Sequence, residues 1–171
     1  MEFYDVLQNR HSIRKFTDKP VEATKIKNII NAAVRAPSAG NLQAYRICLV
    51  RTQEVKEALL PAIEYQEFVV QVPLLMVFVA HPPTSEAKYG QRGFELYAPQ
   101  DATISASYAQ LAATAEGLSS VWVGSFDSLE VSRILHLLSY EVPIAILAIG
   151  YPNGPIESTT RKPIKEIVRE I

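Results

Sequence analysis

Two short polar segments carry the chemistry that this sequence offers. The first, residues 10–14, reads Arg-His-Ser-Ile-Arg. Its two guanidinium groups and one hydroxyl are hydrogen-bond donors, and the planar fork of arginine suits phosphate better than the point charge of lysine does. The segment therefore predicts an anion-binding site, with a solvated basic surface as the open alternative.

The second segment, residues 36–43, reads Ala-Pro-Ser-Ala-Gly-Asn-Leu-Gln. Pro37 disfavours helical geometry at the residue before it, so a preceding helix should end here and a loop should follow. Backbone N–H groups and the amides of Asn41 and Gln43 can hydrogen-bond the polar edge of a planar heterocycle. Ser38 has no base near it in the sequence, so we do not predict a nucleophile.

Composition restricts the classes of partner. The 171 residues fit one domain, and 48% hydrophobic with 20% charged residues is typical of a globular protein. A net charge of −1 gives no overall attraction to nucleic acid or anionic membranes, so an anion site must be local. Residues 1–5 lack the features of a signal peptide, and the longest apolar run, residues 72–80, is too short to span a bilayer. The lone cysteine, Cys48, is expected to be a buried small hydrophobe and agrees with a cytoplasmic location.

Hydrophobic periodicity predicts the elements that must position these segments. Helices are expected over residues 5–8, 23–35, 53–60, 99–116 and 128–138, and strands over residues 46–51, 74–80, 120–123 and 143–149. Residues 74–80 are almost continuously apolar, as in a strand buried on both faces. Residues 81–94 are polar and are predicted to be part loop and part short helix. This pattern alone leaves both an α+β fold and a doubly wound sheet open.

Other candidate sites are weaker. The glycines of residues 90–93 follow a polar segment rather than a strand, which excludes a dinucleotide-binding fingerprint. The three histidines and the cysteine lack metal-ligand spacing, so no metal site is predicted; His136 is expected on a helix. Asp101 is interpreted as a helix N-terminal residue that meets the helix dipole. The aromatic residues Tyr89, Phe94 and Tyr97 are expected either in the core or lining a pocket.

Together, the two segments resemble the nitroreductase family of FMN-dependent oxidoreductases. The resemblance continues in order through residues 89–93, 100–101, 116–118, 122–127, 149–152 and 161–164, and so covers essentially the whole chain. One departure is that Ala44-Tyr45 follows Gln43 where many members have Pro-Trp. The resemblance implies an α+β fold, with a mostly antiparallel sheet of four or five strands flanked by helices. It also implies a single FMN-binding domain over residues 1–171.

The resemblance also implies a role for each polar cluster. Arg10 and Arg161 would bind the FMN phosphate, with Lys162 as a further candidate. Arg14 would lie at the N1/C2=O edge of the ring, where a cation stabilises the reduced form. His11 would contribute bonds to the ring and ribityl chain, as would Ser12.

The remaining site residues come from two loops. Pro37 and Ser38 would be supplied by the other subunit, and Asn41 and Gln43 would face the pyrimidine edge of the ring. A backbone N–H from residues 123–125 (Val123, Gly124 and Ser125) would lie near the flavin N5 atom. No catalytic side chain is implied, since FMN would carry the chemistry.

The implied activity is reduction of bound FMN by NAD(P)H, followed by ping-pong reduction of a second substrate such as a nitroaromatic or a quinone. The implied assembly is a homodimer with two interfacial FMN sites, with the alanines of residues 102–113 in the interface and residues 152–171 wrapping the partner. Three alternatives stay open: a flavin-sequestering protein without turnover, a divergent chemistry of the family, and an α/β domain without flavin.

Overall fold

The computed structural model describes residues 1–156 and 158–171. Its helices are α1 (Phe3–Asn9), α2 (Ala23–Ala33), α3 (Gln53–Leu59), α4 (Phe68–Gln71), α5 (Pro82–Arg92), α6 (Ala98–Ala115), α7 (Ser128–Ile134) and α8 (Ile164–Ile167). Its strands are β1 (Tyr45–Val50), β2 (Leu74–Ala80), β3 (Ser119–Val123) and β4 (Val142–Gly150). A π-helical turn, Gly93–Tyr97, joins α5 to α6.

The four strands form one antiparallel sheet in the order β1-β2-β4-β3. The fold is therefore α+β, and the doubly wound alternative is wrong. Strand β2 runs opposite to both of its neighbours, β1 and β4, and β4 runs opposite to β2 and β3. The predicted strands agree with the observed ones to within a residue at each end.

The core lies on both faces of the sheet. Leu75 and Val77 of β2 pack in a cluster with α3, α4 and α7, whereas Met76 and Phe78 pack in a cluster with α2 and α6. Every residue of β2 is buried, as its apolar run predicts. Because helices cover both faces of the sheet, a ligand would reach it at its edges and at the ends of its strands.

The connection after β2 is far more helical than predicted. Pro82 and Pro83 occupy the first positions of α5, where the missing N–H groups cost nothing. Gly90 (φ 57°, ψ −149°) breaks the helix, and the chain continues through the π-helical turn into α6. The prediction of a part-loop connection over residues 81–94 is therefore wrong.

Helix α7 is shorter than predicted. Asp127 caps it as expected, but it ends at Ile134 rather than at residue 138. His136 lies beyond the helix with a left-handed backbone (φ 53°), so its expected place on a helix is wrong.

Helix α6 presents the opposite face to the one expected. Its alanines Ala102, Ala106, Ala109 and Ala113 are fully buried within the chain and face the sheet or α2. They are therefore unavailable as the core of an interface, and that prediction is wrong. The larger apolar residues face outward, and Tyr108 is 40% exposed.

The C-terminal segment leaves the body of the domain after β4. The apolar side chains Ile164, Ile167 and Val168 are each at least 60% exposed. Among the described residues, none of the helices is long and apolar enough to cross a bilayer.

Candidate active site

Residues 10–14 run in extended conformation beside the edge strand β3. The N–H of Ile13 donates to the carbonyl of Ser120 at 3.0 Å, and Ser12 lies opposite Ser120 in a parallel bridge. Ile13 packs on the core, and since side chains alternate along an extended chain, its neighbours Ser12 and Arg14 are exposed. The fold therefore presents the hydroxyl and the guanidinium on the outside of the sheet edge.

A second strand-like contact completes a small pocket here. The N–H of Asn153 donates to the carbonyl of Lys15 at 2.9 Å, which holds the start of the C-terminal segment against this one. The pocket encloses about 210 Å³ and is lined by residues 12–15 and 153–155. Arg14 and Lys15 make it cationic, so it suits an anionic group.

Residues 38–43 form a strained loop that is anchored by Asp101. The buried Asp101 carboxylate accepts from the N–H of Ala39 through Oδ1 (2.9 Å) and from the N–H of Ala44 through Oδ2 (3.2 Å). Asn41 and Gln43 both have positive φ, which is uncommon for residues other than glycine and is found at functional sites. The loop is thus held in one shape that leaves both amide side chains exposed.

Asp101 is a residue that the sequence interpretation missed. The helical chain continues N-terminally into the π-helical turn, so Asp101 does not lie at a free helix end. Both of its partners lie far away along the chain. In the sequence, the only signal for this role is an acidic residue, Asp101, in a helix whose other residues are mostly small or apolar.

The loop at residues 123–125 closes the far end of β3. Val123 pairs with Ile146 and is buried, whereas Gly124 and Ser125 are exposed. Among the residues that the structure describes, a Cβ added at Gly124 would meet only the Trp122 side chain, at 3.4 Å, which leaves the Gly124 backbone approachable from outside. The Ser125 hydroxyl donates to Glu64 Oε1 at 2.8 Å, so the turn at Glu64 supports this loop.

Arg161 and Lys162 are exposed on the C-terminal segment. The Arg161 guanidinium donates to Thr159 Oγ1 at 2.8 Å and to the carbonyls of Thr159 and Thr160. Among the described residues, the hydrogen bonds of Arg161 therefore lie within its own segment, and none of them links it to Arg10 in one chain.

The two polar segments lie at opposite corners of the sheet. Ser120, beside Ser12, is level with Leu74 at one end of β2, whereas Tyr45 is level with Ala80 at the other end. Six residues of strand correspond to about 20 Å, and three strand spacings add about 14 Å crosswise. One chain therefore does not bring residues 10–14 and residues 38–43 together.

Comparison with known proteins identifies the family to which this arrangement belongs. The sequence model described as Nitroreductase family matches residues 7–66 and 63–151. This chain belongs to the nitroreductase family. The protein is therefore an enzyme, and the family resemblance noted in its sequence is confirmed.

Individual members of the nitroreductase family span most of the chain. A protein of Thermus thermophilus named NADH dehydrogenase is 32% identical over 93% of this chain and 91% of its own length. A Staphylococcus saprophyticus protein named NADPH-dependent oxidoreductase is 35% identical over 94% of this chain and 68% of its own length.

Solved structures of nitroreductases share the fold. NfrA2 of B. megaterium superposes with a TM-score of 0.89 at 28% identity, covering 99% of this chain and 74% of that one. The NADPH:FMN oxidoreductase of Vibrio harveyi, complexed with NAD+, superposes with a TM-score of 0.90 at 24% identity. That alignment covers 98% of this chain and 76% of that one, and at this identity it supports the fold alone.

The side chains that line the pocket of residues 12–15 and 153–155 have the chemistry needed to bind a phosphorylated flavin. Arg14 and Lys15 offer cationic donors, and Ser12 adds a hydroxyl, in the pocket at the edge of β3. Its volume of about 210 Å³ is smaller than the roughly 300–1,000 Å³ of ordinary ligand pockets. The pocket of one chain is therefore smaller than an ordinary pocket for a ligand of this size.

Proposed function

We propose that this protein is an FMN-dependent oxidoreductase that takes electrons from NAD(P)H and passes them to a small acceptor such as a nitroaromatic or a quinone. The observation that carries this proposal is the cationic pocket of residues 12–15, in a chain of the nitroreductase family. The names of the relatives from T. thermophilus and S. saprophyticus support a nicotinamide donor.

We propose that each FMN site is built from two copies of the chain. Residues 10–14 and residues 38–43 lie at opposite corners of one sheet, so a ligand that contacts both segments needs the second copy to supply one of them. In this homodimer, residues 38–43, with Pro37, reach the flavin bound to the partner. The two sites are then identical by two-fold symmetry.

Exposed apolar surface supports this assembly. Phe3, Tyr4 and Leu7 of α1 are exposed, and α1 and α6 together line an apolar groove of about 550 Å³. Soluble monomers rarely expose apolar patches of this kind. We propose that the outward face of α6 around Tyr108 and residues 152–171 both lie against the partner, burying more than about 2,000 Å² in total.

The chain's own residues bind and tune the cofactor. Arg10 and Arg161 hold the phosphate, with Lys162 near it, and His11 and Ser12 bond the ribityl chain and ring. Arg14 stabilises negative charge at the pyrimidine edge, which favours the reduced form. Asn41 and Gln43, supplied by the partner, hydrogen-bond that same edge.

When bound, FMN supplies hydride transfer between the nicotinamide and the acceptor. The exposed backbone at Gly124 and Ser125 would offer an N–H to the flavin N5 atom. No side-chain acid or base is needed for this chemistry. Donor and acceptor use the same place in turn, which gives ping-pong kinetics. We place the enzyme in the cytoplasm, in agreement with its single cysteine, the half-buried Cys48.

Purification under native conditions tests this proposal. We expect a yellow protein with a flavin spectrum, which oxidises NADH or NADPH in the presence of menadione or nitrofurazone with parallel double-reciprocal lines. A yellow protein without turnover would support a flavin-sequestering role instead. A colourless protein that does not retain added FMN would contradict the proposal.

A further inference from the structure

The segment between β2 and α6 folds into a tight helical hairpin that the mechanism above does not use. Gly90 adopts a backbone conformation that only glycine reaches readily, and the chain turns there. A Cβ added at Gly93 would overlap the backbone of Ser85, so the π-helical turn packs directly on α5. Single π-helical turns within helices are frequently found at functional sites.

Two cations on this hairpin are each packed against a tyrosine. Lys88 Nζ lies 5.3 Å from the ring centre of Tyr89, and the Arg92 guanidinium lies 5.4 Å from that of Tyr97. Arg92 Nε also donates to the Tyr97 hydroxyl at 3.0 Å. The two rings meet edge to face at 5.1 Å, so all four side chains form one cluster.

The positive charges of this cluster are not paired with acids in the part of the chain that the structure describes. Among the described residues, neither Lys88 nor Arg92 forms a salt bridge, and both are exposed. The nearby Glu95 carboxylate accepts from Gln91 at 2.8 Å instead. Two cations held in place by aromatic rings are therefore available to an anion from solution.

The cluster lies directly over the strained loop. A Cβ at Gly40 would overlap the Tyr89 hydroxyl and Lys88 Nζ, so these side chains cover the loop that carries Asn41 and Gln43. On the proposed function, that loop borders the flavin ring. On that proposal Lys88 lies at the edge of the partner's flavin site, and Arg92 is joined to it through the Tyr89–Tyr97 pair.

We propose that Lys88 and Arg92 bind the 2′-phosphate of NADPH and make this enzyme prefer NADPH to NADH. This inference rests on the proposed function. The 2′-phosphate is the only group that distinguishes the two donors, and an arginine near the ribose is a physically suitable partner for it. The rings of Tyr89 and Tyr97 fix the two cations and offer a surface for the adenine.

The test uses Lys88→Gln and Arg92→Gln, with Lys27→Gln on the exposed face of α2 as a matched control. In the holoenzyme, each hairpin variant should raise KM for NADPH about tenfold, as expected for a lost charge-assisted bond. We expect no change in kcat, in KM for NADH or in KM for menadione. The control should behave as wild type.

A second measurement does not depend on turnover. Adenosine 2′,5′-bisphosphate should bind wild type more tightly than adenosine 5′-phosphate does, and both hairpin variants should lose that difference. The Lys88 side chain donates no hydrogen bond to any residue that the structure describes, so its variant should keep the wild-type circular dichroism even if Arg92→Gln loosens the hairpin.

Three results would overturn the inference while leaving the proposed function intact. They are an unchanged KM for NADPH in Lys88→Gln, an equal rise in KM for both donors, and a rise in KM for the acceptor alone. Failure of the proposed function has a different signature: wild type would hold no FMN and oxidise neither donor.

Discussion

Replacing Asp101 by asparagine should destabilise the protein and loosen the loop over residues 38–43. The two carboxylate oxygens accept one backbone N–H each, from Ala39 and Ala44. Asparagine keeps one acceptor oxygen and points an N–H₂ group at the other donor. A lost charge-assisted bond contributes about 1.5–3 kcal/mol and a buried N–H without a partner costs about 1–3 kcal/mol. Because both figures describe the loss at the same N–H group, they overlap, and we expect a destabilisation of about 1.5–3 kcal/mol.

Asp127→Asn is a matched control, because Asp127 also accepts two backbone N–H groups. Both bonds, from Leu129 at 2.9 Å and Glu130 at 3.0 Å, go to the single oxygen Oδ1. Asparagine keeps that oxygen and is as good an N-cap as aspartate. The change should therefore be small, although the negative charge is lost in both variants.

Urea unfolding at one fixed protein concentration measures both variants, since the stability of the proposed dimer would depend on concentration. Asp101→Asn should lower the unfolding midpoint and weaken FMN binding, whereas Asp127→Asn should change neither appreciably. If Asp101→Asn matched its control within about 0.5 kcal/mol, the assignment of Asp101 as the anchor of the loop would be refuted.

Four further predictions follow from the same account. Arg10→Ala and Arg161→Ala should each weaken FMN binding by about 1.5–3 kcal/mol, and full FMN occupancy in both purified variants would remove the phosphate assignment. Arg14→Gln should lower the midpoint potential of bound FMN, and potentiometry without any shift would move Arg14 away from the ring. Truncation after Tyr151 should cost both the dimer and FMN, so a flavin-loaded truncated dimer in sedimentation would contradict the role of residues 152–171. The pKa of Glu22 is lowered from 4.5 to about 2, first by the Tyr151 hydroxyl, which donates to Glu22 at 2.7 Å, and then by a backbone hydrogen bond and by Lys19. Stability from these contacts should be lost as pH falls from 4.5 towards 2, and Tyr151→Phe should raise the Glu22 midpoint in an NMR titration.

Most of the sheet could be predicted because its signals are local. Residues 74–80 are apolar without interruption, and only a strand buried on both faces needs seven such residues in a row. The end of α2 was likewise marked by Pro37. In each case a few neighbouring residues determine the backbone, whatever packs against it later.

The wrong predictions for α6 and for residues 81–94 have one physical cause. In both, the local sequence allows more than one structure, and tertiary packing determines which one forms. The alanines of α6 were predicted to lie in an interface, but close packing against the sheet and α2 buries them within the chain, as at Ala106 and Ala109. Residues 81–94 were predicted to be part loop because they are polar, although a helix tolerates prolines at its first positions, as in α5, and glycine at a break, as at Gly90.

The candidate site could be predicted as a set of residues but not as an arrangement. Residues 10–14 and residues 38–43 were identified by residue type, and nothing local reveals that the sheet holds them at opposite corners. The anchoring of the loop by Asp101 depends on a contact across 57 to 62 positions of sequence. Such long-range pairings are set by the fold as a whole.

Mixed dimers test the central proposal, a flavin site shared between two chains, most directly. One chain would carry Arg10→Ala and Arg14→Ala, the other Asn41→Ala and Gln43→Ala, with different affinity tags so that the mixed dimer can be isolated. Each parent homodimer should lose FMN from both sites. In the mixed dimer one site receives both damaged segments and the other receives both intact ones, so about half of the wild-type FMN content should return. A mixed dimer as empty as its parents would show that each chain builds its flavin site alone, and would contradict the proposal.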